Sequence, residues 1–106
     1  MTDIQALTSE FKQHMQALYG DRLAQVILYG SYARGDAHEE SDIDLLVVLK
    51  DAEVNRLQTI RDSVPLINDL FFRYHILPSP QVVSEEVLYS STALFYKNVR
   101  REGRPI

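Results

Sequence analysis

The sequence predicts a small α/β (α+β) domain, a β-sheet with helices packed against it. Two runs dense in β-branched residues, Leu23 to Tyr29 (LAQVILY) and Ile43 to Leu49 (IDLLVVL), read as strands. Segments with apolar residues every three or four positions surround them and read as amphipathic helices. The chain has 106 residues, 45% of them apolar. That suffices for one core and leaves no room for a second, so residues 1–106 are expected to form one domain.

Taken in order, Ile4, Leu7, Phe11, Met15 and Leu18 define a first helix of roughly four turns. Gly20 and Asp21 end it. Leu23 to Tyr29 follows as a buried strand. Gly30-Ser31 then breaks the run, and Ser31 is a good N-cap for a short helix through Ala33 and Arg34. Gly35 to Ser41 is a polar loop. Ile43 to Leu49 is apolar on both faces beyond Asp44, which suits an interior strand.

Asp51 can cap a long helical stretch in which Val54, Leu57, Ile60 and Val64 keep the 3.6 period. Pro65 interrupts it, which predicts a kink or two consecutive helices, the second running to about Tyr74. His75 to Val83 reads as a third strand, and Pro78 and Pro80 make it an edge or a bulged one. Ser84 with Glu85 and Glu86 starts another helix. A last amphipathic piece, Leu94 to Arg101, stops at Gly103.

Composition removes several classes of function. With no cysteine there are no disulfides, thiolate metal sites or thiol catalysis. The apolar runs are far short of a membrane span, and the start, MTDIQALTSEF, is amphipathic rather than a signal peptide. A cytoplasmic location with no membrane partner is expected. The net charge of -4 argues against nucleic acid held by bulk electrostatics. Seven of the acids crowd between Asp36 and Glu53 against one base, Lys50, while the last ten residues carry four bases and one acid. Two of those crowded acids sit in a strand pattern, where they repel each other unless a cation or proton intervenes.

The chemistry concentrates between Leu23 and Leu49. A glycine at a strand-to-helix junction lets a phosphate approach the backbone, and the following amides and the Ser31 hydroxyl are donors for it. Asp42 and Asp44 open the second strand two positions apart, so alternation sets both carboxylates on one face, about 6–7 Å apart along the chain. That spacing suits one or two Mg²⁺ ions completed by phosphate oxygens and water. Each half is common by itself. The joint pattern, Gly30-Ser31, ten residues, Asp42-x-Asp44, would arise from ordinary residue frequencies roughly once in a thousand such chains. An EF-hand is excluded, because Leu45-Leu46 follow the aspartates and the loop glycine is missing. Together the halves describe a nucleoside-triphosphate site.

The block GSYARGDAHEESDIDLLVVL resembles the signature of the DNA polymerase β-like nucleotidyltransferase superfamily. The Ala33-Arg34-Gly35 continuation, Ser41, the short length and the ending LFYKNVRREGRPI are similar to its minimal nucleotidyltransferases. The resemblance implies a nucleotidyltransferase-type small mixed β-sheet with helices packed against it. It implies an antitoxin, paired with a HEPN-domain partner, that uses ATP and Mg²⁺ to adenylylate a tyrosine of that HEPN toxin. It makes Asp42 and Asp44 the catalytic metal ligands and gives Gly30 and Ser31 the triphosphate. Arg34 is in place to touch phosphate, with a surface ion pair as the alternative. Homo- and hetero-oligomers both remain open.

One departure from the superfamily stands out. Its full members carry a third carboxylate on the next core strand, whereas HILPSPQVV holds no acid and sets Leu77 where an aspartate is expected. A phenol with a pKa near 10 needs help losing its proton at neutral pH. Either the two aspartates and metal suffice, or another group such as His75 substitutes, or the domain binds nucleotide and neutralises its partner without turnover. The remaining candidates read as structural. His14, His38 and His75 lack ligand spacing, Ser31 lacks a Ser-His-Asp context, and Arg34-Gly35-Asp36 is an accidental tripeptide. Tyr89, Phe95, Tyr96 and Val99 read as core packing, with a partner-docking face as the alternative.

Overall fold

In the computed structural model, which describes residues 4–106, the strands and helices alternate largely in the expected order. Residues 1–3, the start of the segment read as amphipathic, lie outside it. Helix α1 (Ile4–Tyr19) buries Leu7, Phe11 and Met15 along one stripe and ends in a 3₁₀ turn, Gly20–Arg22. Leu18, expected on that stripe, is exposed. Strand β1 (Leu23–Tyr29) and strand β2 (Ile43–Leu49) keep the expected boundaries and pair antiparallel, with Tyr29 opposite Asp44. Between them sits α2 (Ser31–Arg34), a single turn. Its N-cap is Gly30 rather than Ser31, which is already helical and makes no capping bond.

Helix α3 (Arg56–Tyr74) runs through Pro65 without interruption. Proline deletes one backbone donor, but Pro65 is on the exposed side, where water takes the freed Arg61 carbonyl. The expected break therefore does not occur. Nor does Asp51 cap this helix. Asn55 is the N-cap, its side chain accepting from the Gln58 amide at 3.0 Å, while Asp51 accepts a two-pronged bond from Arg22 at 2.8–3.1 Å. The larger surprise is rotation. Thr59, Ser63 and Leu70 face inward, and Leu57, Ile60 and Val64 face out.

His75 closes α3 in a left-handed conformation (φ 59), so strand β3 (Pro78–Ser84) starts three residues later than expected. It runs parallel to β2 at the sheet edge, where its prolines cost no ladder bonds. Ser84 caps α4 (Glu85–Ser90) by accepting from the Val87 amide, and α5 (Leu94–Glu102) follows. The chain ends in a two-residue strand, β4 (Arg104–Pro105), beside β1. The mixed sheet has the order β3-β2-β1-β4. On one face Ile43, Leu45 and Val47 pack under Phe11 and Leu70; on the other Leu46 and Val48 pack under Leu88 and Val99.

Candidate active site

The two halves of the Gly-Ser/Asp-x-Asp pattern meet where β1 and β2 lie side by side. Gly30 follows β1 with φ 75 and ψ -154, a conformation that favours glycine strongly. A second reason for glycine is contact. A Cβ at Gly30 would overlap the Asp44 carboxylate, with Asp44 Cγ only 3.0 Å away. Gly30 and Asp44 therefore form one unit. The carboxylate rests on the glycine backbone because no side chain occupies that space.

From Gly30 the chain makes the single turn of α2, and Gly35 (φ 85) closes it with its amide donating to the Ser31 carbonyl at 2.9 Å. The first amides of such a turn have no acceptor within it. Ser31 and Tyr32 provide those amides. Arg34, at the end of the turn, pairs with Asp36 at 3.2 Å and with Glu102 at 3.7 Å. The anticipated surface ion pair is present, and the Arg34 charge also reaches Asp44.

The loop returning to β2 is pinned by a tight turn. The Ser41 amide donates to the His38 carbonyl at 3.0 Å, the His38 amide to the Ser41 hydroxyl at 2.9 Å, and the Glu40 amide to His38 Nδ1 at 3.3 Å. Next come exposed Asp42 and half-buried Asp44. Strand alternation puts Asp44 on the α5 side of the sheet, with Leu46 and Val48. Burial is the main cause that holds the Asp44 carboxyl above the usual range. Repulsion from Asp42 adds to it and attraction from Arg34 opposes it.

Tyr29, which the motif reading passed over, pairs with Asp44 across the β1–β2 ladder. Burial, then Asp44, then Tyr96 push its phenol up to about 12, so it stays neutral at physiological pH. Phe95 of α5 stands edge-on to Tyr29, ring centres 5.5 Å apart, and Tyr96 packs against Phe95 at 5.1 Å. The aromatic pair separates two open clefts. One of about 210 Å³ is lined by Tyr29, Gly30, Arg34, Phe95, Asn98 and Glu102. The other, about 310 Å³, is lined by Tyr29, Leu46, Arg56, Gln81, Phe95 and Tyr96. The expected aromatic core stripe is thus divided. Val99 is buried and Tyr96 half-buried, but Tyr89 and Phe95 are exposed.

The parallel register shows what the neighbouring strand offers the aspartates. Asp44 lies opposite Ser79 and Leu46 opposite Gln81; one residue before the Ile43–Pro78 pair, Leu77 falls opposite Asp42. Its carbonyl accepts from the Ile43 amide at 3.0 Å. Leu77, just before β3, and Ser79 and Gln81 on it all lack a carboxylate. Among the described residues no three His, Asp or Glu side chains gather as a metal cage. Mg²⁺, however, commonly takes one or two carboxylates and completes its shell with phosphate and water. Asp42 and Asp44 supply two hard oxygen donors and a mutual repulsion that a divalent cation would cancel. The set fits a cation arriving with a phosphate ligand.

The chain is thus an α/β protein whose mixed sheet carries a glycine-backed aspartate at the end of its central hairpin. Comparison sharpens the class. The nucleotidyltransferase domain family matches residues 8–93, and the chain belongs to that family. It is 35% identical over 85 residues to a Methanocaldococcus jannaschii protein named "putative protein adenylyltransferase", covering 80% of this chain and 84% of that one. A second relative of the same name and organism is 36% identical over 96 residues, covering 90% and 89%. Among solved structures, a toxin–antitoxin with AMP-PNP superposes with a TM-score of 0.58 at 20% identity, covering 97% of this chain and 72% of that one. A tri-AMPylated Shewanella oneidensis HEPN toxin in complex with an MNT antitoxin gives 0.54 at 18%, covering 95% and 69%. At such identities these structures speak for the fold, and the nucleotidyltransferase assignment rests on the family and the curated relatives.

Proposed function

We propose that this chain is a Mg²⁺-dependent nucleotidyltransferase that moves AMP from ATP to a hydroxyl, a tyrosine's, on a HEPN-type partner, and so acts as an antitoxin. The observation that carries the reading is the contact between Gly30 and Asp44. It joins a phosphate-accepting backbone to a carboxylate pair at one point. The curated relatives named as protein adenylyltransferases support AMP as the transferred group.

In this reading Asp42 and Asp44 hold Mg²⁺, which when bound neutralises charge developing on the phosphates. Gly30 admits the triphosphate to the backbone, and the Ser31 hydroxyl and first amides of α2 donate to its oxygens. Arg34 contributes positive charge once phosphate competes with Asp36 and Glu102 for it. The acceptor oxygen attacks the α-phosphorus in line, a new P–O bond forms, and the bond to the β-phosphate oxygen breaks to release pyrophosphate. With no third acid on β3, the hydroxyl proton leaves to water at the exposed Asp42 end, which makes the transfer slow.

The same missing acid favours a second reading, an antitoxin that binds nucleotide and neutralises its partner without turnover. Incubation with ATP, Mg²⁺ and the proposed HEPN-type partner, followed by intact mass, separates the two. An AMP increment on the partner, lost in Asp42→Asn with the fold retained, supports transfer. Neutralisation with no mass change sinks it in favour of binding alone.

A further inference from the structure

Helix α3 turns Leu57, Ile60, Val64 and Phe71 away from its own sheet, while Ile67 is half-buried and Tyr74 packs on the core and bonds Glu10. Leu57, Ile60, Val64, Ile67, Phe71 and Tyr74 follow steps of three, four, three, four and three, the a/d spacing of a coiled-coil seam. Leu57 is 71% exposed, Phe71 49%, Val64 43% and Ile60 39%, and Phe72 beside them reaches 80%. The inward side carries Thr59 and Ser63 instead. Their hydroxyls donate to the Asn55 and Thr59 carbonyls of the same helix, at 3.1 and 2.7 Å. Those polar residues therefore ask nothing of the sheet. A long helix that buries serine and exposes Leu57, Ile60, Val64 and Phe71 on one side presents that side to another surface.

We propose that the surface is the same seam on a second copy of this chain, with the two α3 helices packed antiparallel as a homodimer. Three features choose this occupant. The step series is palindromic, so a copy turned end for end sets Val64 against the second copy's Ile67, Ile60 against its Phe71 and Leu57 against its Tyr74. The two-fold axis falls between Val64 and Ile67.

Charge permits the match. Arg61 flanks the seam, and about 1.5 Å per residue puts it roughly 14 Å from its symmetry mate, beyond the Debye length at physiological salt, while Arg56 at the end of the helix is engaged by Gln81. Asp62 and Asp69 are held off this face by Gln58 and Arg73. Area agrees as well. At these exposures the seam offers on the order of 600 Å² per copy, so a pair buries roughly 1,200 Å², the lower end for specific complexes. The dimer is accordingly concentration-dependent.

Sedimentation velocity of the full chain, from low micromolar to several hundred micromolar, tests this. The expected result is a shift from 12.2 kDa towards twice that mass. Val64→Lys and Ile60→Lys, at side chains 43% and 39% exposed, should weaken dimerisation at least tenfold while circular dichroism shows the monomer still folded. Since the chain has no cysteine, single cysteines can test the register. Val64→Cys lies roughly 5 Å along the axis from its mate and should link through a short bis-maleimide. Leu57→Cys, roughly 26 Å from its mate, should not. A wild type that stays monomeric throughout overturns the proposal, whatever else binds the seam. A dimer indifferent to both lysines, or one linked equally well at Leu57, overturns it too.

Discussion

Replacing Asp44 by asparagine should make the metal-free protein more stable while removing its activity. The Asp44 carboxylate is half-buried against Gly30, and Asp42, two residues before it, is close enough to repel it. Two charges about 6–7 Å apart repel by roughly 0.6 kcal/mol in water and by about 2.5 kcal/mol at an effective dielectric of 20. Asp42 is exposed, so the lower part of that range applies, near 1 kcal/mol. Attraction from Arg34 offsets part of it, but that guanidinium is shared with Asp36 and Glu102. Asparagine keeps the shape and deletes the charge. For a chain of about this size, 1 kcal/mol corresponds to roughly 4 °C in Tm.

The assay is thermal unfolding by circular dichroism in EDTA at neutral pH, repeated on acidification. Folding raises the Asp44 pKa, so the folded state holds that proton more tightly than the unfolded chain. The penalty is absent below the unfolded carboxylate value and grows as pH rises through the raised one. The Tm gap between variant and wild type should therefore close as pH falls. An Asp44→Asn protein that melts at or below wild type in EDTA would refute the reasoning, as would a gap constant from neutral to acidic pH.

Gly30→Ala should lose nucleotidyl transfer and about 1–2 kcal/mol of stability, because its Cβ meets the Asp44 carboxylate at a positive φ; full activity in the mass assay would separate the glycine from the site. Leu77→Asp should supply the carboxylate that β3 lacks, lowering Tm in EDTA and enlarging the Tm gain from added Mg²⁺; an unchanged Mg²⁺ response would place Leu77 away from the aspartates. Asn55→Ala should cost about 1 kcal/mol through the lost α3 cap, read as a lower urea midpoint with an unchanged m-value. Glu10 is held below the usual carboxylate range by Arg73 and then Tyr74, so its stabilisation is present above the ordinary value and lost as pH falls through the lowered one. Glu10→Gln should flatten that acid limb of the stability curve, and an unaltered limb would count against the network.

What could be read from the sequence tracks how local its cause is. β1 and β2 kept their boundaries because their apolar runs are continuous and end at a glycine or a charge. β4 went unread, since two residues carry no period and pair only through the backbone. The α3 stripe was legible as a helix, but the way it faces was not. Periodicity finds an apolar face but does not say which body it touches. Ser63 and Thr59 could sit inward only because their hydroxyls bond back to their own helix, a choice no spacing records.

The site divides along the same line. Gly30, Ser31, Asp42 and Asp44 belong to one short hairpin, so their proximity follows from chain connectivity alone. Tyr29 was within reach of the same logic, since pairing the two strands end to end sets it across from Asp44. Phe95, Arg56 and Gln81 were not, because they arrive from α5, α3 and β3, and sequence distance hides them. That asymmetry has a mechanistic consequence. In the proposed reading the hairpin alone meets the nucleotide's phosphates, whereas Phe95, Arg56 and Gln81, brought by tertiary packing, line the larger cleft beside it. If the acceptor enters there, Phe95→Ala should slow transfer to the partner more than it weakens ATP binding, measured as labelling rate against nucleotide Kd. Equal losses in both would assign Phe95 to the nucleotide and leave the acceptor's route to the smaller cleft.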